Sequence, residues 1–377
     1  MIALYIRELD IKGGTHKQLY YLADYLERSG VQFKILTNSL DYTKTFDSFR
    51  KLEGKIECIE RKLSNNIFLK IYFYVLFVFN FRKALKNVKI LNVHDQGLHL
   101  LFPFFFDKRI IWQINDLPIE FLKTKDLSIF NRVKKSYIKA STKLFVKSIT
   151  VNVSKNRERV LNNLGLNSEV LYCGIEKVDI NRNLTASLNR LKSKKINILT
   201  SGVFIPYRNY ETTVEVVYEL TNLGYDIDLN IIGSTVTNPQ YAKKIDNLIK
   251  QFNLENQIKI LGQITDSMFL ELHDKSDIFM FINIDQSWGL AVFEAMSCGL
   301  PVILSQSVGA TEILKNNIDC LFVDPVNVNE IVNRIIELVN NPQQYIYLSN
   351  NGIDFANNYT WDKAYSSNVL RIINEFY

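Results

Sequence analysis

Short apolar runs alternate with helix-period segments along the whole chain. Ile2–Ile6 reads as a strand, and the Gly13-Gly14 pair after it leads into a helix with Leu19, Leu22, Ala23 and Leu26 on one face. Gly30 closes that helix and Val31–Thr37 is the next strand. Ile90–Val93, Ile110–Ile114, Ile149–Val153 and Val170–Tyr172 are the further strands of this half. The second half repeats the plan. Strand Ile196–Thr200 runs into Gly202 and a helix from about Tyr210 to Leu223, then strand Ile227–Ile232 ends at Gly233. Helix Tyr241–Phe252 follows, with Ile245, Leu248, Ile249 and Phe252 on one face, and then strands Ile258–Leu261, Ile278–Ile282, Val302–Leu304 and Leu321–Val323. Trp361–Phe376 reads as a helix without a strand partner.

Strands alternating with helices predict a parallel sheet covered on both faces, and two such series predict two doubly wound, Rossmann-like α/β domains. The expected domains are 1–176 and 177–359, with the polar stretch Lys177–Asn189 as the linker. Ligands of such sheets bind beyond the carboxyl ends of the strands, so the expected site is a central cleft where the two sets of ends face each other. That places a site without naming a reaction.

Composition narrows the class. Of 377 residues 47% are hydrophobic and 22% charged, which describes folded rather than disordered chain. The net charge of +6 is modest. It fits a merely basic protein as well as attraction to anionic lipid or phosphorylated substrates. No basic stripe with aromatic partners stands out, so nucleic acid is not an expected partner. Cys58, Cys173, Cys298 and Cys320 are far apart and read as buried thiols, and His16, His94, His99 and His273 form no HExxH pair. A cytoplasmic setting is the simplest expectation. The first residues lack a signal-peptide pattern, and Ile71–Phe81, the most apolar run, is shorter than the ~18 residues a membrane span needs.

The most informative segment is Asp285 to Val302, DQSWGLAVFEAMSCGLPV. It reads as a loop with Gly289, a helix starting near Leu290, a stop at Gly299, Pro301, and a strand. Free N–H groups at that helix start suit a diphosphate, and Glu294, one turn in, suits ribose hydroxyls. On spacing alone the segment equally describes an ordinary sheet-covering helix with a solvated Glu.

The segment resembles the signature of retaining glycosyltransferases of the GT-B fold, glycosyltransferase family 4: a Glu, seven residues, a second Glu, then Ala-Met-Ala-Cys-Gly-x-Pro-Val. Glu294 is the second Glu, and Gln286 stands in place of the first. Other landmarks follow in order. Gly13-Gly14 matches a diglycine loop, Val153-Ser154 a strand end, and Cys173-Gly174-Ile175-Glu176 an Asn-Gly-Ile-Asp. Ser201 to Asn209, SGVFIPYRN, resembles Gly-Arg-Leu-x-Pro-x-Lys-Asn. Ile231-Ile232-Gly233, Leu261-Gly262 and Gly309-Ala310-Thr311-Glu312 match further positions.

The resemblance implies roles. Arg208 stands where the family has a diphosphate-binding Lys, with Gly202 and Asn209 in the same loop. Gly13 and Gly14 allow close approach to the donor, and Gly289, Leu290 and Ala291 offer backbone N–H groups. Gln263 and Ile264 lie beside the nucleobase, Glu294 on the ribose, and Gln286 on the sugar hydroxyls. Asn115 replaces a family His, and Asp116 is either a sugar contact or a helix cap. With Arg208, Gln286, Asn115 and Asp116 form the implied catalytic set. Val203 replaces the Arg of the phosphate-binding pair. The final helix, about 360–377, is expected to pack back onto the first domain.

The implied activity is metal-independent, retaining transfer of a hexose from a nucleotide-sugar, UDP- or GDP-linked, to a glycan or lipid-linked acceptor in cell-surface polysaccharide or glycolipid synthesis. No cofactor or bound metal is implied. Ile67–Phe81, with Lys70 inside and Arg82, Lys83, Lys86 and Lys89 after it, and Leu98–Phe106 are aromatic-rich. They read either as buried helix and neighbours or as a peripheral contact, through 67–89, with the inner face of the membrane. Gln286, Val203 and Asn115 keep open a GT-B partner protein without turnover. The absence of GxGxxG after the first strand argues against a dinucleotide oxidoreductase.

Overall fold

The computed structural model describes residues 1–62, 64–94, 96–115, 117–118, 121, 129–178, 182–285 and 288–376. The chain divides into two compact units, Met1–Gly174 together with Trp361–Tyr377, and Ile175–Thr360.

The first unit runs β1 (Ile2–Tyr5), α1 (Gly14–Arg28), β2 (Phe33–Thr37), β3 (Ile56–Cys58), α2 (Ile67–Ala84), β4 (Ile90–His94), β5 (Arg109–Ile114), α3 (Ile129–Phe145), β6 (Val146–Val151), α4 (Ser154–Leu164) and β7 (Glu169–Val170). Among the described residues its sheet has seven strands, all parallel, in the order β3-β2-β1-β4-β5-β6-β7. β1 and β4 are buried at every residue, as central strands covered on both faces must be. α1 buries Leu19, Leu22, Ala23 and Leu26, the face predicted from the pattern. The edge strand β3 is an addition to the expected set, and its Cys58 is exposed, not buried.

The second unit runs α5 (Leu184–Lys192), β8 (Lys195–Ser201), α6 (Tyr210–Asn222), β9 (Asp226–Ile232), α7 (Pro239–Gln251), β10 (Ile258–Gly262), α8 (Asp266–Lys275), β11 (Ile278–Phe281), α9 (Leu290–Ser297), β12 (Val302–Ser305), β13 (Leu321–Val323), α10 (Val328–Val339) and α11 (Pro342–Asn358). Among the described residues its sheet has six parallel strands in the order β10-β9-β8-β11-β12-β13.

The stretch expected as a linker is largely built into this unit. Val178 N–H donates to Ser297 Oγ at 2.7 Å, and Asn183 caps α5 by accepting from Ala186 N–H at 3.0 Å. Arg182 donates to the carbonyls of Gly299 and Ser276 and to Tyr345 Oη at 2.6, 2.8 and 2.6 Å.

The chain then returns to the first unit. Trp361, 2% exposed, stacks on Tyr21 with ring centroids 5.0 Å apart. A π-helical turn, Asp362–Ser366, and α12 (Ser367–Asn374) follow. Arg28 pairs with Asp362 at 2.9 Å. Trp361→Ala removes a buried indole and its stacking partner, so it is expected to cost about 3–5 kcal/mol. Urea unfolding of the full chain checks this, and an unchanged midpoint would contradict the packing described.

Candidate functional site

In each sheet the strand order reverses once, and the crevice at that point is where α/β sheets hold ligands. In the second unit the reversal lies between β8 and β11. The loop after β8 carries Gly202 to Asn209, and the loop after β11 leads to Gly289 and α9. Tyr207 O accepts from Ile284 N–H at 2.9 Å, which ties the two loops together.

Glycine is required where β8 and β9 end. A Cβ on Gly233 would lie 1.9 Å from Gly202 O, and one on Gly202 would lie 2.6 Å from Arg208 Cζ. Only a bare backbone lets the guanidinium lie flat against Gly202. Arg208 Cζ also sits 5.6 Å from the Phe281 ring centroid and 5.5 Å from that of Tyr207. Its Nε is buried and has no hydrogen-bond partner. Among the described residues no carboxylate pairs with this guanidinium, so its unanswered donors suit an anion.

The same aromatic ring meets the start of α9. Gly289 has φ 92°, and a Cβ there would lie 3.3 Å from Phe281 Cε1 and 2.9 Å from Val308 Cγ1. No side chain caps α9 at Gly289. Val292 N–H bonds back to Gly289 O at 3.0 Å, while the N–H groups of Leu290 and Ala291, one step earlier, have no acceptor within the helix. Arg208 and the positive end of α9 thus converge on Phe281.

Glu294 is half-buried one turn into α9. Burial holds the pKa of His273 below the usual imidazole value, with the Glu294 charge opposing that shift. Burial and the same charge push the Cys298 thiol up to about 12, so it is inert at neutral pH. Gln263 is exposed and Ile264 half-buried just past β10, at the carboxyl edge two strands away from β8. Gln286 lies outside the described residues.

Asn209, expected at the donor, is anchored within its own loop. Its backbone is left-handed at φ 58°, and its amide donates to Ile282 O and Pro325 O at 3.2 and 2.7 Å while accepting from Thr212 Oγ1 at 3.0 Å. With the side chain satisfied internally, Asn209 shapes the loop that holds Arg208.

In the first unit the strand order reverses between β1 and β4, and Gly13, Gly14 and Asn115 gather near that edge. Gly13 is the N-cap position of α1 and Gly14 its first residue. Asn115, expected in the catalytic set by resemblance, is anchored in the same way. Its amide donates to Thr15 Oγ1 and Gln18 Oε1 at 3.1 and 2.8 Å and accepts from Gln113 Nε2 at 3.0 Å. It belongs to a buried polar chain with Thr150 and Asn156, and it positions the start of α1. Asp116 lies outside the described residues. Phe281, the platform of the second-unit site, was legible only as a strand residue, because nothing in a strand pattern tells which ring a cation will rest on.

Residues 183–355 match the family of glycosyl transferases group 1. That match takes in Arg208, the glycine-ended strands, Phe281 and all of α9. An uncharacterized glycosyltransferase of Methanocaldococcus jannaschii is 25% identical over 210 residues, 56% of this chain and 52% of its own. Protein CapJ of Staphylococcus aureus is 24% identical over 257 residues, 66% of this chain and 63% of its own. The chain thus spans between half and two thirds of these relatives. Among solved structures, Anabaena HepE in complex with UDP superposes with a TM-score of 0.76 at 15% identity, covering 100% of both chains. A glycosyltransferase from Rickettsia africae gives 0.75 at 18%, covering 100% of this chain and 98% of its own. The fold is GT-B, two Rossmann-like parallel-sheet domains.

Proposed function

We propose that this protein is a retaining, metal-independent glycosyltransferase that takes a hexose from a UDP- or GDP-sugar and passes it to a hydroxyl of a glycan or lipid-linked acceptor. The reading assigns it to cell-surface polysaccharide or glycolipid synthesis at the cytoplasmic membrane face, which it meets through residues 67–89. One observation carries the reading: among the described residues, a guanidinium with no carboxylate partner and a helix start with no side-chain cap converge on the ring of Phe281. The group-1 family match and the UDP bound by Anabaena HepE support it.

In the proposed reaction the bond between the anomeric carbon and the diphosphate oxygen breaks, and its electron pair stays on the diphosphate. The acceptor oxygen bonds to the anomeric carbon and gives up its proton to the departing diphosphate oxygen. The developing negative charge falls between Arg208 and the N–H groups of Leu290 and Ala291. Glu294 accepts from the ribose hydroxyls, Gln286 pairs with sugar hydroxyls, and Gln263 and Ile264 flank the base. Gly13, Gly14 and Asp116 are assigned to the sugar side, with Asn115 holding α1 in place.

A panel of UDP-, GDP- and ADP-sugars tests this through release of the nucleoside diphosphate and the anomeric configuration of the product. Turnover with retention, undiminished by EDTA, is expected for one donor class. Glu294→Ala is expected to raise the donor KM about tenfold, the worth of roughly one charge-assisted hydrogen bond. A melting shift with nucleotide-sugars but no turnover would instead favour a non-catalytic GT-B partner protein. The replacement of the family His by an internally satisfied Asn115 points that way. Neither turnover nor a shift would end both readings.

A further inference from the structure

The first unit exposes a large apolar surface that the transfer reaction does not use. In α2, Ile67, Phe68, Leu69, Lys70, Ile71 and Tyr72 are all exposed, Phe68 at 80%, so the first turns of the helix lie outside the core on every side. Only its second half, at Phe77, Val78, Phe81 and Ala84, is buried. A helix apolar all round is at home in a core or in lipid, and these first turns have no core around them. The start of α3 repeats the feature, with Ile129 82% and Phe130 75% exposed and Val133 and Tyr137 also exposed. One stretch joins the two helices: Tyr137 Oη donates to Leu100 O at 2.8 Å, and Arg82 donates to Phe104 O, with its Cζ 5.5 Å over the exposed Phe106 ring.

Charge follows the same surface. Of the chain's 45 Lys and Arg, thirteen lie in residues 61–94 and 129–147, which hold no Asp or Glu. The rest of the chain has 32 Lys and Arg against 39 Asp and Glu, so outside these segments it is acidic. The modest net charge of the whole sequence hides this division.

We infer that α2, the Leu100–Phe106 stretch and α3 form one docking platform for an anionic lipid bilayer, with α3 as a second lipid-binding helix beside residues 67–89. Exposed Ile, Phe, Leu and Val insert at the headgroup boundary while the basic residues meet the lipid charge. Among the described residues no helix is long and apolar enough to cross a membrane, so the platform lies on the surface. Bulky aliphatic side chains at the centre of the patch favour lipid over nucleic acid, whose phosphates call for cations and whose bases call for flat rings. The inference rests on the membrane contact proposed for residues 67–89 and extends it to α3, and it is independent of donor binding, since no proposed donor contact lies in the platform.

The full chain is floated with phosphatidylcholine vesicles, with and without phosphatidylglycerol. Binding is expected only with the anionic lipid and should weaken with salt. Arg132→Glu, Lys139→Glu and Lys143→Glu together, all exposed on α3, should weaken it at least about tenfold, since each cation near the surface contributes roughly 1 kcal/mol. Phe68→Ser with Phe79→Ser should release the protein at moderate salt. Melting shifts with UDP run alongside show that each variant is folded, and they report on donor binding separately. Equal binding to neutral vesicles, no binding, full retention by the α3 variant, tighter binding to RNA of matched charge, or a concentration-dependent dimer that both variants abolish would each overturn the inference.

Discussion

Arg208→Ala is expected to lower kcat/KM for the donor by about a hundredfold to a thousandfold, the scale on which removal of a preorganised charge-stabilising donor acts. The guanidinium faces Gly202, Phe281 and Tyr207 with its Nε buried and unanswered, so the apo protein loses little when it is removed. The unfolding midpoint should therefore hold steady while turnover collapses. Arg208→Lys should recover only part of the rate, because an ammonium cannot lie flat on the Gly202 backbone or pair bidentately with a phosphate. Steady-state donor kinetics with a parallel melt check both. If Arg208→Ala turned over like the wild type, or if it unfolded, Arg208 would be a structural cation instead.

A large expected stability effect lies away from the site. Asp277 is fully buried between α8 and β11. Its carboxylate accepts from Arg190 Nη2 at 2.7 Å and Asn197 N–H at 2.9 Å, and its carbonyl accepts from Tyr345 Oη at 2.7 Å. Asp277→Ala removes the carboxylate partner of the partly exposed Arg190, which keeps only Ser187 Oγ and Lys275 O, and leaves the half-buried Asn197 N–H without its acceptor, a change that costs about 2–4 kcal/mol. Asp277→Asn keeps an acceptor for Asn197 N–H and should cost clearly less. Equilibrium unfolding in urea distinguishes the two, and equal, small losses would show that the pair is replaceable. Donor affinity of the folded fraction should be unaltered in both.

Architecture was legible because parallel strands buried on both faces read as dense apolar runs, and because their helices keep one apolar stripe. Helix α6, strand β9 and strand β13 were found in this way within one or two residues. Strand β3 was missed because it is three residues long, lies on an edge, and has Glu57 at its centre. The start of α5 carried a readable cap in Asn183, but the surrounding polarity gave the stretch the look of a linker. At the site, the glycine strand ends and the α9 start were legible from backbone demands alone. The hydrogen-bond partners of Asn209 and Asn115 were not, since they include Pro325, over a hundred residues downstream of Asn209, and Thr15 and Gln18, about a hundred residues upstream of Asn115. The α2 surface shows the remaining gap. An apolar run reads the same whether its helix is buried or bare, and only packing reveals that its first turns have no cover.

The central claim is that the edge between β8 and β11 binds a nucleotide diphosphate. A crystal structure with UDP or GDP tests it most directly. The β-phosphate is expected within hydrogen-bond reach of the Leu290 and Ala291 N–H groups and of the Arg208 guanidinium, with the ribose on Glu294. Nucleotide bound elsewhere, or a pocket in which Arg208 turns away from the phosphates, would contradict it.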